Sequence, residues 1–118
     1  MSDNDCLFCK IAAGEIPADK VLETDDVVVF RDIAPQAPVH LLAIPRRHLR
    51  SIAEVTGRDA DLIVALVAAA NTAGKSELGE RGYRIATNVG KEAGQTVFHL
   101  HLHIMGGAPL GPLAVTEA

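Results

Sequence analysis

The sequence predicts an α+β fold: a mainly antiparallel sheet of about five strands, one long helix and one short helix. Three observations carry this. Phe98-His99-Leu100-His101-Leu102-His103-Ile104-Met105 alternates histidine with an apolar residue at every second position, the period of a strand with two unlike faces. Val27-Val28-Val29-Phe30 is a β-branched and aromatic run, typical of a strand. Ala60 to about Leu78 is a continuous alanine-, leucine- and valine-rich stretch, read as one long helix.

The remaining elements fall into place around these. Cys9 to Gly14 reads as a short helix stopped by glycine. Lys20 to Glu23 is extended, and Thr24-Asp25-Asp26 is a turn that joins it to Val27–Phe30 as a hairpin. His40 to Ile44, closed by Pro45, is a third strand; its weak alternation suits a central strand covered on both faces. Thr56 or Asp59 is available to cap the long helix. Leu62, Ile63, Val64, Leu66 and Val67 surround much of that helix, which suggests burial on more than one side, one on the sheet and the other on a second chain; a single-face helix softened by alanines is the alternative. Leu78 to Gly82 is a turn, Tyr83 to Thr87 a strand, Asn88 to Gly94 a glycine-containing loop. Gly106-Gly107 ends the last strand.

The chain has 118 residues, which predicts a single domain with its core over about 6–107 and a tail over 108–118. The net charge of −4 gives no general attraction to nucleic acid or anionic membranes. The longest apolar run, Leu62 to Ala70, is too short to span a bilayer. The acidic start Met1-Ser2-Asp3-Asn4-Asp5 lacks the basic and apolar regions of a signal peptide. A cytoplasmic protein is the expectation, with its two cysteines as reduced thiols.

The histidine stretch admits three readings: a solvated polar face, an all-histidine metal site, or a strand carrying a catalytic imidazole. Three of the protein's five histidines lie there, on one face, which packing alone explains poorly. Cys6-Leu7-Phe8-Cys9 is by itself a weak signal, compatible with half a zinc site, a redox pair or accident. No βαβ pattern follows to favour a redox pair. A four-coordinate zinc would need two further ligands, and histidines would have to supply them.

The histidine stretch with Ile104-Met105 resembles the motif that names the histidine triad (HIT) family of nucleotide hydrolases and transferases. Asp32-Ile33-Ala34-Pro35-Gln36-Ala37-Pro38-Val39-His40 followed by Leu42-Ala43-Ile44-Pro45 resembles the signature of its Hint branch. Asn88-Val89-Gly90 and Gly94-Gln95-Thr96-Val97 are similar to the family's phosphate-contacting loop. The resemblance runs from about Cys6 to Gly107.

It implies a HIT-like fold, a homodimer that joins two sheets into ten strands, and purine nucleotides as partners, AMP or GMP and their phosphoramidates. It implies His101 as the nucleophile, with its Nδ1–H on a carbonyl. His103 would act on the phosphate and leaving group, and His40 would approach the nucleophile and support its tautomer. Asp32 would accept from the ribose hydroxyls. Phe8, Phe30 and Ile33 would surround the base, whereas as plain sequence Leu7, Phe8, Ile11, Phe30 and Ile33 read simply as core. Asn88, Gln95 and Thr96 would position the phosphate. Cys6, Cys9, His48 and His99 would hold one structural zinc per chain, independent of His101, with no metal needed at the phosphate. The implied activity is a purine nucleoside phosphoramidase working through a nucleotidyl-histidine. Hydrolysis of dinucleoside polyphosphates and a non-catalytic nucleotide-binding adaptor remain as alternatives. The tail lacks the aromatic ending known in some Hint proteins, which leaves the physiological substrate open.

Overall fold

The computed structural model describes residues 5–114. The acidic N-terminal residues 1–4 and the end of the tail, on which part of the signal-peptide and tail expectations rest, lie outside them. Five strands form one sheet: β1 (Lys20–Glu23), β2 (Val27–Arg31), β3 (Val39–Pro45), β4 (Arg84–Ala86) and β5 (Leu102–Gly106). Their order is β1-β2-β3-β5-β4, and every pairing is antiparallel. The helices are α1 (Leu7–Ala12) and α2 (Ala60–Leu78). No helix among the described residues is long and apolar enough to cross a membrane.

Alternation along the central strands builds two cores. Val27, Val29, Leu41, Ala43, Leu102 and Ile104 face α2, where Leu66, Ala69, Ala70 and Ala73 meet them. Val28, Phe30, Leu42 and Ile44 face the other way and are covered by Phe8, Ile11 and Ala12 of α1. β3 is therefore buried on both faces, as its weak alternation predicted. The turn before β2 is held by Thr24, whose Oγ1 accepts from the Val27 N–H at 3.0 Å. A capping box of Thr56 and Asp59 begins the one-turn 3-10 segment that leads into α2. The outward side of α2 leaves Val64 68% and Val67 41% exposed.

Three expectations need correction. The short helix begins at Leu7, earlier than expected, because Cys6 caps it: the Cys9 N–H donates to Cys6 Sγ. The last strand does not pair over the whole histidine stretch. Its ladder begins at Leu102, so His99 and His101 lie on chain that approaches the sheet outside it, where the Leu100 N–H donates to the Leu49 carbonyl at 2.6 Å. The side-chain alternation survives nevertheless, because Leu100 joins Leu102 and Ile104 in the α2 core. Leu7 and Ile33 are not core, being 45% and 100% exposed. β2 ends at Arg31, so Ile33 has already left the sheet.

Candidate active site and metal centre

A pocket of about 300 Å³ opens on the α1 side of the sheet. Its wall combines apolar Phe8, Ile11, Ile16 and Phe30 with polar Asp32, Thr96, His101 and His103. Such a combination, an apolar cleft with a few convergent polar groups, is the usual form of a small-molecule site. Phe8 is buried and packs edge-on against Phe30, with ring centroids 5.5 Å apart, and against His101 at 5.1 Å. Ile33 stands on the rim with its side chain in solvent.

The hydrogen bonds fix which nitrogen of each imidazole carries its proton. His101 Nδ1 lies 2.7 Å from the His99 carbonyl. A carbonyl only accepts, so Nδ1 holds the hydrogen and Nε2 keeps its lone pair. The Gln36 N–H donates to His40 Nδ1 at 2.9 Å, so the hydrogen of neutral His40 is on Nε2. That Nε2–H meets His103 Nδ1 at 2.9 Å, which leaves His103 with its hydrogen on Nε2. The partner of His40 is thus His103, and not the His101 expected from the sequence. The register decides it, since Leu42 pairs with His103 and His40 with Met105 across β3 and β5.

Burial pushes the His103 imidazole down to about 4, and the neighbouring His101 and His40 push the same way against the pull of Asp32. Burial also lowers His40, opposed by Asp32. Both are therefore neutral near pH 7. A proton NMR titration should place the His103 midpoint near 4; a midpoint at the ordinary imidazole value of about 6.5 would contradict this environment. The linked effect has a definite sign. Unfolded chains bind the proton below about pH 6.5 and the folded one does not until about pH 4, so this contribution is complete above 6.5 and declines as pH falls through that window.

Asp32, His40 and His103 present donor atoms within 4.8 Å of one another. They do not fit a cation, because the Gln36 N–H on His40 Nδ1 puts the hydrogen on the Nε2 that would have to ligate. Asp32 Oδ1 accepts from the Ala34 N–H at 2.9 Å, and its Oδ2 is 3.5 Å from His40 Nε2.

Of the three residues expected at the phosphate, Thr96 is exposed at the pocket wall. The Gln95 side chain is turned inward instead. Its Nε2 donates to the carbonyls of Arg50 and Val97 and its Oε1 accepts from the Gly90 N–H. Its amide hydrogens are therefore spent on the loop backbone, not offered to a ligand. Asn88 is half-buried in that loop and outside the pocket wall. The carbonyl expected for His101 Nδ1–H is that of His99; the groups that sequence reasoning missed are the Gln36 N–H and the Pro45 carbonyl, backbone atoms that no residue type announces.

A second cluster gathers Cys6, Cys9, His48 and His99. His99 is fully buried, and its Nε2–H donates to the Pro45 carbonyl at 2.8 Å. Its Nδ1 then faces Cys6 Sγ at 3.2 Å, Cys9 Sγ at 3.4 Å and His48 Nδ1 at 3.1 Å. His48 Nδ1 is 3.4 Å from Cys9 Sγ, while its Nε2 is buried with no hydrogen-bond partner. Zinc bond lengths of about 2.0–2.3 Å imply tetrahedral edges of about 3.3–3.8 Å, close to these separations. Two thiols and two imidazoles, each directed inward, fit a closed tetrahedral zinc.

The HIT domain family matches residues 13–110, a span that holds all five histidines. The chain belongs to the HIT family. Among HIT relatives, the purine nucleoside phosphoramidase of Escherichia coli K12 is 40% identical over 108 residues, covering 91% of each chain. A HIT family hydrolase from Clostridium thermocellum superposes with a TM-score of 0.89 at 41% identity, over 94% of this chain and 97% of that one. A histidine triad protein from Clostridium difficile gives 0.90 at 38% identity, over 97% and 100%. The antiparallel five-strand sheet with one long and one short helix is thus the HIT fold, as the sequence predicted.

Proposed function

We propose that this HIT protein is a nucleotide hydrolase, and specifically a purine nucleoside phosphoramidase that releases AMP or GMP from a P–N bonded amine. The observation that carries the reading is the tautomer of His101: its Nδ1–H is held by the His99 carbonyl, which leaves a lone pair on Nε2 of a residue that lines a largely apolar pocket. The name and 40% identity of the E. coli relative support the choice of reaction.

The purine packs against Phe8, Ile11, Ile16 and Phe30, and Asp32 accepts from the ribose hydroxyls. The His101 Nε2 lone pair attacks phosphorus; the Nε2–P bond forms as the P–N bond to the amine breaks, and the departing nitrogen takes one proton from solvent. Water then attacks the same phosphorus, the Nε2–P bond breaks with its electron pair returning to Nε2, and one proton goes back to solvent. Each displacement is easier than a direct one. His103 offers its Nε2–H to a non-bridging oxygen, where charge builds, and Thr96 adds a hydroxyl. His40 keeps His103 in that tautomer. Gln95 and Asn88 shape the loop.

The pocket wall also favours a short charge. Its one cationic side chain is Arg31, which is already paired with Glu77 at 2.6 Å and Asp19 at 3.4 Å. A single phosphorus centre suits this wall better than a polyphosphate. The deciding experiment is a panel: adenosine phosphoramidate against diadenosine tri- and tetraphosphate. P–N cleavage should exceed P–O–P cleavage by at least about tenfold. The reverse order would turn the reading to polyphosphates, and tight AMP binding with no turnover would turn it to an adaptor.

Cys6, Cys9, His48 and His99 hold a structural zinc, which ties α1, the loop after β3 and the approach to β5 together. Reduced thiols as ligands agree with a cytoplasmic setting. The exposed Val64 and Val67 of α2 and the short edge strand β4 face a second copy, giving ten strands across the pair. Sedimentation of the intact protein should return twice the chain mass of 12.5 kDa; a monomer at micromolar concentration would sink the dimer.

A further inference from the structure

His99 belongs to both clusters at once. Its side chain completes the metal centre, and its main-chain carbonyl is the acceptor for His101 Nδ1–H at 2.7 Å. Its backbone precedes β5, whose ladder starts at Leu102, so strand pairing does not fix the direction of that carbonyl. Two contacts fix it instead, and one is the His99 side chain, fully buried between the Pro45 carbonyl and the other three cluster residues. The other is the N–H of the same planar peptide unit: the Leu100 N–H donates to the carbonyl of Leu49, the residue after the cluster's His48. A further contact runs in parallel. Phe8, between the two cysteines, has its ring 6.0 Å from His99 and 5.1 Å from His101.

We propose that His99 is a positioning residue through which occupancy of the Cys6/Cys9/His48/His99 centre sets the tautomer and angle of the His101 imidazole. The zinc then affects turnover without touching substrate. Groups that orient a reacting or ligating imidazole commonly change activity 10- to 100-fold when lost. This departs from the independence of zinc and His101 that the family resemblance implies. The inference rests on the proposed role of His101 only for its kinetic readout; its spectroscopic readout stands apart.

The test compares zinc-loaded protein with chelated protein shown by circular dichroism to be folded. Three quantities are read: kcat on adenosine phosphoramidate, the Kd for AMP, and the 15N shifts of the two His101 ring nitrogens. On loss of zinc, kcat should fall about 10- to 100-fold while the AMP Kd changes less than about threefold. The His101 nitrogens should move from one defined tautomer toward the average of two. His48→Ala, at a donor of the cluster outside the pocket wall, should do the same, and His48→Cys with zinc, which restores a fourth ligand, should recover kcat.

If chelated protein or His48→Ala unfolds, cobalt- and cadmium-loaded wild type replace them, since cadmium's longer bonds move His99 without emptying the centre. The His101 nitrogen shifts should then differ between the two metals. Unchanged His101 nitrogens across these states, or a kcat that ignores metal removal from folded protein, would overturn the proposal. Turnover that survives His101→Ala would instead overturn the assigned nucleophile, leaving the nitrogen shifts to judge the coupling.

Discussion

Replacing His101 by alanine is expected to lower turnover of adenosine phosphoramidate by at least about 10³-fold, because no other group can take its place in the covalent step. His103 is the nearest alternative imidazole, with ring centroids 5.1 Å apart. Its Nδ1 lone pair is already given to the His40 Nε2–H, so its remaining nitrogen carries a hydrogen and has no free pair for phosphorus. His40 is disqualified in the same way by the Gln36 N–H on its Nδ1. AMP binding should survive, since the contacts proposed for base and ribose are Phe8, Phe30 and Asp32 of the same wall. The checks are steady-state kinetics and calorimetric AMP binding on the same preparations. Activity within tenfold of wild type would remove His101 from the mechanism. Loss of AMP binding together with activity would show a collapsed pocket rather than a lost nucleophile.

The same hydrogen-bond chain shows where sequence reading reached and where it stopped. Alternation in residues 98–105 was enough to separate the histidines from Leu100, Leu102 and Ile104, because burial in the α2 core depends on side-chain direction and not on strand pairing. It could not tell that pairing starts at Leu102. That limit is set by what holds residues 98–101 instead, a buried side chain and a loop carbonyl from elsewhere in the chain. The partner of His40 depends on the register between β3 and β5, a property of two distant segments. Phe30 and Ile33 look alike as apolar residues near a pocket, yet one is 4% and the other 100% exposed; the end of β2 lies between them. Gln95 has the amide that a phosphate site wants, but in the fold the nearest unsatisfied groups are loop backbone. Chemistry written in residue types was legible; of the main-chain chemistry, the carbonyl acceptor of His101 Nδ1–H was expected, but not which residue supplies it.

Removing the metal centre should have the largest effect on stability. In the double variant Cys6→Ala/Cys9→Ala the thermal midpoint is expected to fall by about 10 °C or more relative to zinc-loaded wild type, the size of shift that about 3 kcal/mol produces in a domain of this length. The fold itself says why the loss concentrates on one face. α1 has only six residues, too few to form a helix unaided, yet it covers Val28, Phe30, Leu42 and Ile44. Its N-terminus is fastened by Cys6, which is both the helix cap and one of the four donors of the cluster. Without the centre the cap hydrogen bond to Cys6 Sγ also disappears, and Phe8 loses its two flanking anchors. The α2 core, from Val27 and Leu41 to Ala70, is a cluster separate from the one that holds the cysteines and should hold the sheet together. Stability should therefore drop without global unfolding at 25 °C, and the apolar part of the pocket wall should open. Thermal scans of wild type with zinc and with chelator, and of the double variant, measure this directly. The variant's midpoint should not respond to zinc, whereas the wild type's should rise with free zinc as expected for binding to the folded state alone. Equal midpoints in all three samples would show that α1 is held by its apolar contacts and that the four donors have no part in stabilising it.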